Sequence, residues 1–181
     1  MSDKIIVVPY KSEWTREFQD LGDSLRAVLE DVAIRIDHIG STSIPGLAAK
    51  PIIDVQISVR TLELLDSFRE PLESLGFIHR ADNSDRSKRY FREAPGNKRT
   101  HIHVRREGSW PEQLAFLFRD YMRNHPEDCK RYEDLKYKLA KEYVNDRGMY
   151  TEAKDPLIWE ILRKADKWSQ NTGWIPQKSD A

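Results

Sequence analysis

Two neighbouring stretches indicate the fold most strongly: HIGSTS at residues 38–43 and KPIIDVQI at residues 50–57. The first predicts a strand that ends in a tight Gly-Ser turn, and the second predicts a strand that carries Asp54 among apolar residues. Such a turn exposes backbone N–H groups and hydroxyls, which suit phosphate oxygens. A carboxylate on the neighbouring strand can hold the divalent cation that accompanies a nucleoside triphosphate. The pattern therefore indicates nucleotide binding and points toward nucleotidyl transfer.

The turn offers several groups for a phosphate. Gly40 permits a close backbone approach or a positive φ, and Lys50 can either neutralise phosphate charge or simply be solvated. The hydroxyl groups are those of Ser41, Thr42 and Ser43. They either contact phosphate oxygens or cap a short helix that begins near Pro45, and a capped helix N-terminus is itself an anion site.

The strand at residues 51–59 has two different faces. Its apolar side chains share one face, whereas Asp54, Gln56 and Ser58 share the other. A carboxylate among apolar residues needs solvent, a cation or hydrogen-bond donors, because burying it without a partner is costly. Asp54 is therefore a candidate metal ligand. An edge position facing water, or a salt bridge to an arginine, would also explain it.

A second candidate element is the sequence HIHV at residues 101–104, in which His101 and His103 alternate with apolar residues and project from one face of a strand. If this strand lies beside residues 52–58, both imidazoles share a cleft with Asp54. Imidazole favours zinc, manganese or iron over magnesium, so such a set predicts a transition-metal site. Alternatively, the histidines donate to phosphates or satisfy one another through water.

A local excess of positive charge surrounds this element. Residues 80–106 contain nine basic and three acidic side chains, an excess of six positive charges in a chain with no net charge. A charge run is usually a solvated face. Here it can also supply a clamp for a triphosphate or an RNA phosphate, and Arg92 is the preferred member because it alternates in phase with Tyr90.

The spacing from Gly40-Ser41 to Asp54 resembles the signature of the nucleotidyltransferase superfamily, with Gln56 at the position of the usual second carboxylate. Further blocks resemble the GrpB family, in order from about residue 7 to residue 162. They include VVPY at 7–10, HIHV at 101–104, FRDYMR at 118–123 and the spacing Tyr150-x-x-x-Lys154. The resemblance implies a nucleotidyltransferase-like fold and adds Lys154 to the phosphate-binding candidates. Some GrpB-like proteins are joined to dephospho-coenzyme A kinase.

Size and composition restrict the class of protein. A chain of 181 residues suits one domain, and the balance of 30 Lys+Arg by 30 Asp+Glu argues against bulk nucleic-acid binding. A single cysteine, Cys129, excludes an intramolecular disulfide framework. The N-terminus has no apolar signal region and no segment is apolar enough for a membrane span, so a cytoplasmic protein without membrane contact is expected. No feature indicates an oligomeric state.

The hydrophobic pattern predicts strands in the first part of the chain and helices in the last third, an α/β (α+β) fold with a mixed sheet. Predicted strands or extended segments are 4–8, 32–39, 51–59, 77–78, 88–93 and 100–106. Helices are predicted at 13–30 after a Ser12 cap, at 61–75, after a Ser109/Glu112 capping box, from His125-Pro126 to Gly148, and from Asp155-Pro156 onward. Residues 1–168 are predicted to form one domain, and residues 169–181 a flexible tail.

The leading functional hypothesis is an enzyme that binds a nucleoside triphosphate or related phosphorylated small molecule and transfers a nucleotidyl group. Asp54 and Gln56 occupy the catalytic positions, with Mg²⁺ or Mn²⁺ as cofactor. A two-metal site usually needs more carboxylates than the single one identified here, Asp54. The alternative is therefore a catalytically inactive module of the same fold that binds a nucleotide or coenzyme A. A third hypothesis is metal-dependent hydrolysis at Asp54, His101 and His103.

Overall fold

A five-stranded mixed sheet brings the predicted site segments together. The computed structural model describes residues 4–181, so residues 1–3 of the predicted domain lie outside the described part. The strands are β1 (Arg35–Ile39), β2 (Ile53–Val59), β3 (Phe77–His79), β4 (Lys88–Glu93) and β5 (Thr100–Arg106). Their order is β1-β2-β5-β4-β3, and only the central β2–β5 pair is parallel. Because β5 pairs directly with β2, the His101 strand does lie beside the Asp54 strand.

In the described part of the chain, six α-helices flank the sheet: α1 (Glu13–Leu29), α2 (Asp66–Ser74), α3 (Trp110–Asn124), α4 (Pro126–Glu142), α5 (Arg147–Glu152) and α6 (Asp155–Thr172). None of the helices within residues 4–181 has the length and apolar character that a bilayer crossing requires. The mixed sheet and the helical last third confirm the predicted fold class.

One face of the sheet packs against α1 and α2. Leu25 of α1 and Phe68 of α2 are fully buried against apolar side chains of β2 and β5, among them Val55, Ile57 and Ile102. These strand residues hold the alternate positions of the central strands. The opposite face of β2 and β5 consequently carries their polar side chains, toward the part of the molecule built by α3–α6. A second apolar cluster joins α3, α4 and α6 to the segment after β1 through Ile44, Leu47, Leu117, Tyr132 and Ile161.

Several local predictions were wrong. Ser12 makes no side-chain cap to α1, and Ser109 makes none to α3. Glu112 instead accepts hydrogen bonds from the Gly108 N–H and the Ser58 hydroxyl, which fixes α3 to β2 rather than closing a capping box. Gly148 does not end α4, which stops at Glu142, but lies inside the short helix α5. Tertiary contacts override local signals at these positions.

The last residues of the chain contact the edge of the sheet. The helix α6 continues past residue 168 to Thr172. Beyond it, the backbone N–H of Ile36 donates to Ser179 Oγ and that of His38 donates to Asp180 Oδ2, both at 2.9 Å. The segment therefore covers the exposed edge of β1, which would otherwise present unpaired backbone groups. The assignment of residues 169–181 as a flexible tail stays a prediction, and these contacts were not foreseen.

Candidate functional site

A cavity of about 490 Å³ opens where the turn after β1 and the polar face of β2 and β5 meet the helices α4 and α5. Five cationic side chains line it, and Asp54 is the single carboxylate among its described lining residues. The cations are Lys50, Lys88, Lys136, Arg147 and Lys154. An excess of positive charge of this size in a concave site favours a polyanionic ligand.

Asp54, His101 and His103 form a compact cluster at this cavity. The parallel register places Asp54 beside His101, and His103 follows two residues later on the same face of β5. His101 Nδ1 lies 3.0 Å and His103 Nε2 lies 3.6 Å from Asp54 Oδ1. One nitrogen or oxygen from each residue lies within 4.8 Å of those of the other two, so the three can approach a single metal ion together.

Hydrogen bonding defines the protonation of the cluster. The Arg147 guanidinium lies 3.3 Å from His101 Nε2, and since a guanidinium only donates, Nε2 accepts and Nδ1–H donates to Asp54. Burial raises the pKa of Asp54, but hydrogen bonds from His101 and His103 outweigh it and hold that pKa below its usual value. Burial lowers the pKa of His103 to about 4, although Asp54 opposes the change. The cluster at neutral pH is therefore an ionised carboxylate beside a neutral His103.

The donor set tests which metal the cluster can accept. Two imidazole nitrogens and one carboxylate oxygen suit Zn²⁺ or Mn²⁺, whereas Mg²⁺ prefers oxygen ligands alone. Three protein ligands leave coordination positions open for a ligand oxygen or water. Of the two predicted cofactors, Mg²⁺ and Mn²⁺, this set of ligands fits Mn²⁺ better. His103 faces Asp54 with Nε2, and its Nδ1 is buried with no hydrogen-bond partner among residues 4–181.

The turn after β1 shapes the other wall of the cavity. Gly40 has φ 70°, and residues Ser41–Ser43 form one 3₁₀ turn. The Ser41 hydroxyl accepts a hydrogen bond from Lys136 Nζ at 3.2 Å. The Ser43 hydroxyl donates to the Gly40 carbonyl at 2.6 Å, and Ser43 does not line the cavity. No helix begins near Pro45 in the described chain, so the alternative of a capped helix there was wrong.

Thr42 serves mainly to hold this turn. Its hydroxyl donates to the Ile52 carbonyl at 3.1 Å and lies 3.0 Å from His38 Nε2. Because the hydroxyl proton is already used, His38 Nε2–H donates to Thr42. Burial lowers the pKa of His38 to about 4, so the imidazole is neutral and stacks on Phe18 with ring centroids 4.7 Å apart. These hydrogen bonds and this ring stacking connect the turn to the sheet and to α1.

Three lysines crowd one side of the cavity. Lys50 and Lys154 lie over the Tyr150 ring, with Nζ 5.0 and 4.6 Å from its centroid. Burial, reinforced by neighbouring cations, lowers the pKa of Lys50 to about 8 and that of Lys136 to about 7. Burial also lowers the pKa of Lys154. Repulsion among these cations is a cost that a bound anion would relieve.

Lys136 and Arg147 are cavity residues that sequence reasoning missed. Lys136 is only 2% exposed, donates to the Ala48 carbonyl and lies 4.7 Å from the centre of the Tyr132 ring. A signal for it was present, since Lys136 stands on the apolar stripe of α4 between Tyr132 and Leu139. Arg147 carried no such signal. It reaches His101 because α5 folds back over the cavity.

Besides Ser43, two further predicted site residues lie outside the cavity lining. Gln56 is fully buried and does not line the cavity: its Oε1 accepts from Arg105 Nη1 at 2.7 Å, and its Nε2 donates to the Glu112 carbonyl at 3.2 Å. Arg92 pairs with Glu93 at 2.9 Å and is likewise absent from the cavity lining. The structure therefore groups Gly40, Ser41, Thr42, Lys50, Asp54, His101, His103 and Lys154 at one cavity.

Comparison with known proteins gives a consistent family. A family model described as "GrpB protein" matches residues 4–164. YqkA of Bacillus subtilis is 37% identical over 168 residues, which cover 92% of this chain and 49% of YqkA. Glutamate-rich protein GrpB of Alkalihalophilus pseudofirmus is 33% identical, with 89% of this chain and 95% of that protein covered.

A dephospho-CoA kinase of Mycolicibacterium paratuberculosis is 30% identical over 196 residues, which cover 94% of this chain and 48% of the kinase. The chain thus spans about half the length of YqkA and of this kinase.

Solved structures agree on the architecture. The GrpB protein from Enterococcus faecalis superimposes with a TM-score of 0.84 at 30% identity, over 91% of this chain and 99% of that one. Cid1 poly(U) polymerase with Mg 3'-dATP bound matches with a TM-score of 0.52 at 14% identity, over 76% of this chain and 43% of that one. The second likeness is one of fold alone, and it supports the predicted nucleotidyltransferase-like architecture.

Proposed function

This chain belongs to the GrpB family, and from that premise we propose that its cavity binds a nucleoside triphosphate or related phosphorylated ligand together with one divalent metal ion. The observation that carries the proposal is the cavity's charge pattern. Five cations surround one carboxylate, and that carboxylate touches two histidines. A triphosphate needs positive charge along its length and a metal ligand at one point, and this charge pattern supports such a ligand.

The proposed role of each residue follows from its position in the cavity. Asp54, His101 and His103 would hold the ion, with His101 giving up its Nδ1 proton to do so, and the bound ion would supply charge neutralisation at the phosphates. Ser41 and the backbone of the Gly40 turn offer hydrogen bonds to phosphate oxygens, while Lys136 holds the Ser41 hydroxyl and adds charge. Lys50 and Lys154 approach from the side of Tyr150.

Nucleotidyl transfer is the reaction this arrangement best supports. An acceptor oxygen forms a bond to the α-phosphorus, and the bond from that phosphorus to the oxygen bridging to the β-phosphate breaks. Pyrophosphate leaves with the bonding electron pair. The protein contributes by positioning the reactants and offsetting the charge that builds up on the leaving group. A cytoplasmic location is part of the proposal, because the single cysteine and the nucleotide substrate both suit that compartment.

Binding without turnover is the second candidate, and Gln56 favours it. A two-metal site needs about three carboxylates. Gln56 stands where a second one is usual, and its amide is committed to Arg105 and Glu112. A nucleotide or coenzyme A could then be held without transfer.

Thermal unfolding tests the proposal. The four nucleoside triphosphates and coenzyme A are added with Mg²⁺, Mn²⁺ or EDTA to wild type, to Asp54→Asn, and to the control Asp66→Asn, whose carboxylate is 67% exposed on α2. A ligand at 100 times its Kd stabilises the fold by about 2.7 kcal/mol. We expect a Mn²⁺-dependent rise in Tm that Asp54→Asn loses and Asp66→Asn keeps. No rise with any ligand would refute the proposal. Pyrophosphate release then separates transfer from binding alone.

A further inference from the structure

A second cavity, of about 340 Å³, adjoins the first. Lys50, Ile52 and Arg147 line both cavities, so the two share one wall. Arg147 also contacts His101, which places this shared wall directly beside the candidate metal cluster. A molecule in the second cavity would therefore lie next to the proposed nucleotide site.

The second cavity is lined partly by apolar and partly by cationic side chains. Ile5, Ile6, Pro51 and Ile52 supply an apolar surface, and its remaining lining residues are the cations Lys4, Lys50, Arg99 and Arg147. No carboxylate is among these described lining residues. Such a site complements a molecule with an apolar body and a strongly anionic group.

Hydrogen bonds fix the wall formed by the N-terminal segment. The Ile5 N–H donates to the Val144 carbonyl at 3.0 Å, and Val8 and Ala49 exchange two backbone hydrogen bonds of 2.9 Å. Ile6, between these anchors, is 58% exposed although it is apolar. The segment thus holds an accessible apolar side chain at the cavity rather than burying it in the core.

We infer that the second cavity binds an organic phosphate monoester, with the apolar part against Ile5, Ile6 and Pro51 and the phosphate toward Lys50 and Arg147. A phosphate is favoured over a singly charged group because Lys4, Lys50 and Arg147 line the site with no carboxylate among the described lining residues. Arg99, which also lines it, pairs with Glu93 at 2.9 Å.

The role of this molecule in the reaction rests on the proposed function, in which it is the acceptor. An oxygen of its phosphate forms a bond to the nucleotide's α-phosphorus, while the bond from that phosphorus to the oxygen bridging to the β-phosphate breaks. Pyrophosphate leaves with the bonding electron pair. A dianionic phosphate has no proton to lose, unlike a hydroxyl acceptor. It therefore needs no general base, and Asp54, the one carboxylate in the described lining of the neighbouring first cavity, is already hydrogen-bonded to His101.

Isoleucine methyl NMR can observe the two cavities separately. Ile5 and Ile6 line only the second cavity, whereas Ile39 lines only the first. Protein labelled with ¹³C at the isoleucine δ1 methyls is titrated with phenyl phosphate as the probe, and with inorganic phosphate for comparison. We expect saturable shifts of the Ile5 and Ile6 signals with phenyl phosphate, and binding at least tenfold weaker with inorganic phosphate.

The variant Ile6→Glu tests the same surface, because it places a negative charge at the apolar wall. It should weaken phenyl phosphate binding at least tenfold. The matched control is Ile78→Glu, at an exposed isoleucine of β3 that lines neither cavity and is 45% exposed. This control should bind as wild type does.

The outcomes separate the two proposals. Shifts confined to Ile39, no shifts at all, or unchanged binding by Ile6→Glu would each overturn the second site. Failure of a nucleoside triphosphate to shift Ile39 would overturn the proposed function and leave the phenyl phosphate result standing by itself.

Discussion

The backbone of Gly40 lies against the carboxylate of Asp54, so closely that a Cβ at Gly40 would sit 2.6 Å from Asp54 Oδ2. This contact joins the turn at residues 40–43 to strand β2. Glycine is required at position 40 for two reasons. Its φ of 70° disfavours a residue with a side chain, and the Asp54 side chain fills the space that a Cβ would need.

The change Gly40→Ala should damage both the fold and the site. The backbone conformation alone costs about 1–3 kcal/mol for a residue with a side chain, and the contact with Asp54 adds to it. Gly46→Ala is the matched control, since Gly46 has φ 81° and its Cβ would meet no atom within 4 Å. Urea unfolding should show a larger loss for Gly40→Ala, and only that variant should lose Mn²⁺-dependent nucleotide binding. Equal losses in the two variants would contradict the contact's role.

The change Lys136→Met should weaken nucleotide binding. It removes the charge and the hydrogen bond to Ser41 while keeping a long side chain. A hydrogen bond to a charged group is worth about 1.5–3 kcal/mol, so we expect a loss of roughly 10- to 100-fold in affinity by calorimetry. Lys138→Met, at an exposed position of the same helix, should bind normally.

The pH dependence of binding follows from the same lysine. The pKa of Lys136 is about 7 in the free protein, so the side chain loses its charge as pH rises through that value. Wild-type affinity for a triphosphate should fall between pH 6 and pH 8, and the fall should be smaller in Lys136→Met. A parallel dependence in the two proteins would show that Lys136 does not face the ligand's charge.

The change Gln56→Glu tests the predicted catalytic role of that position. The structure has the Gln56 side chain in contact with Arg105, so a carboxylate there should form an ion pair with Arg105 rather than reach a metal. We expect an unchanged Mn²⁺ stoichiometry and no gain in pyrophosphate release. A second bound ion, or new transfer activity, would restore Gln56 to the reacting centre.

Acid should destabilise the protein partly through His38. The pKa of His38 is about 4 in the folded protein and 6.5 in the unfolded chain. The unfolded chain therefore takes up the proton first as pH falls. The free energy of unfolding should therefore decrease between pH 6.5 and pH 4. By pH 5 this amounts to about 2 kcal/mol for one such group. Urea titrations at pH 7 and pH 5 should show a smaller decrease for His38→Gln than for wild type.

The sequence predicted the sheet well because alternation and turn residues are local signals. Strands β4 and β5 begin and end where the pattern placed them, at 88–93 and 100–106. The family resemblance is confirmed by the match over residues 4–164. Helix ends were less accurate, as the position of Gly148 inside α5 shows, because packing shifts boundaries that propensity leaves open.

The cavity itself could be predicted only in part. Gly40, Ser41 and Asp54 are close in sequence, so one turn and one strand are enough to bring them together. Lys136 and Arg147 lie far along the chain and reach the cavity through the packing of α4 and α5. Gln56 shows the opposite case: it shares a strand face with Asp54, yet Arg105 and Glu112 bind its side chain outside the cavity.

The sequence by itself determined the strand–turn–strand element, the polar side chains that alternate along one face of each of the strands β2 and β5, and the family. Those features depend on backbone periodicity and glycine conformation, which are local. Only the tertiary structure decided that β5 lies parallel to β2, that Arg147 donates to His101, and that five cations share a cavity with one carboxylate. These depend on which distant segments bury their apolar faces together, and burial acts between surfaces irrespective of their separation along the chain.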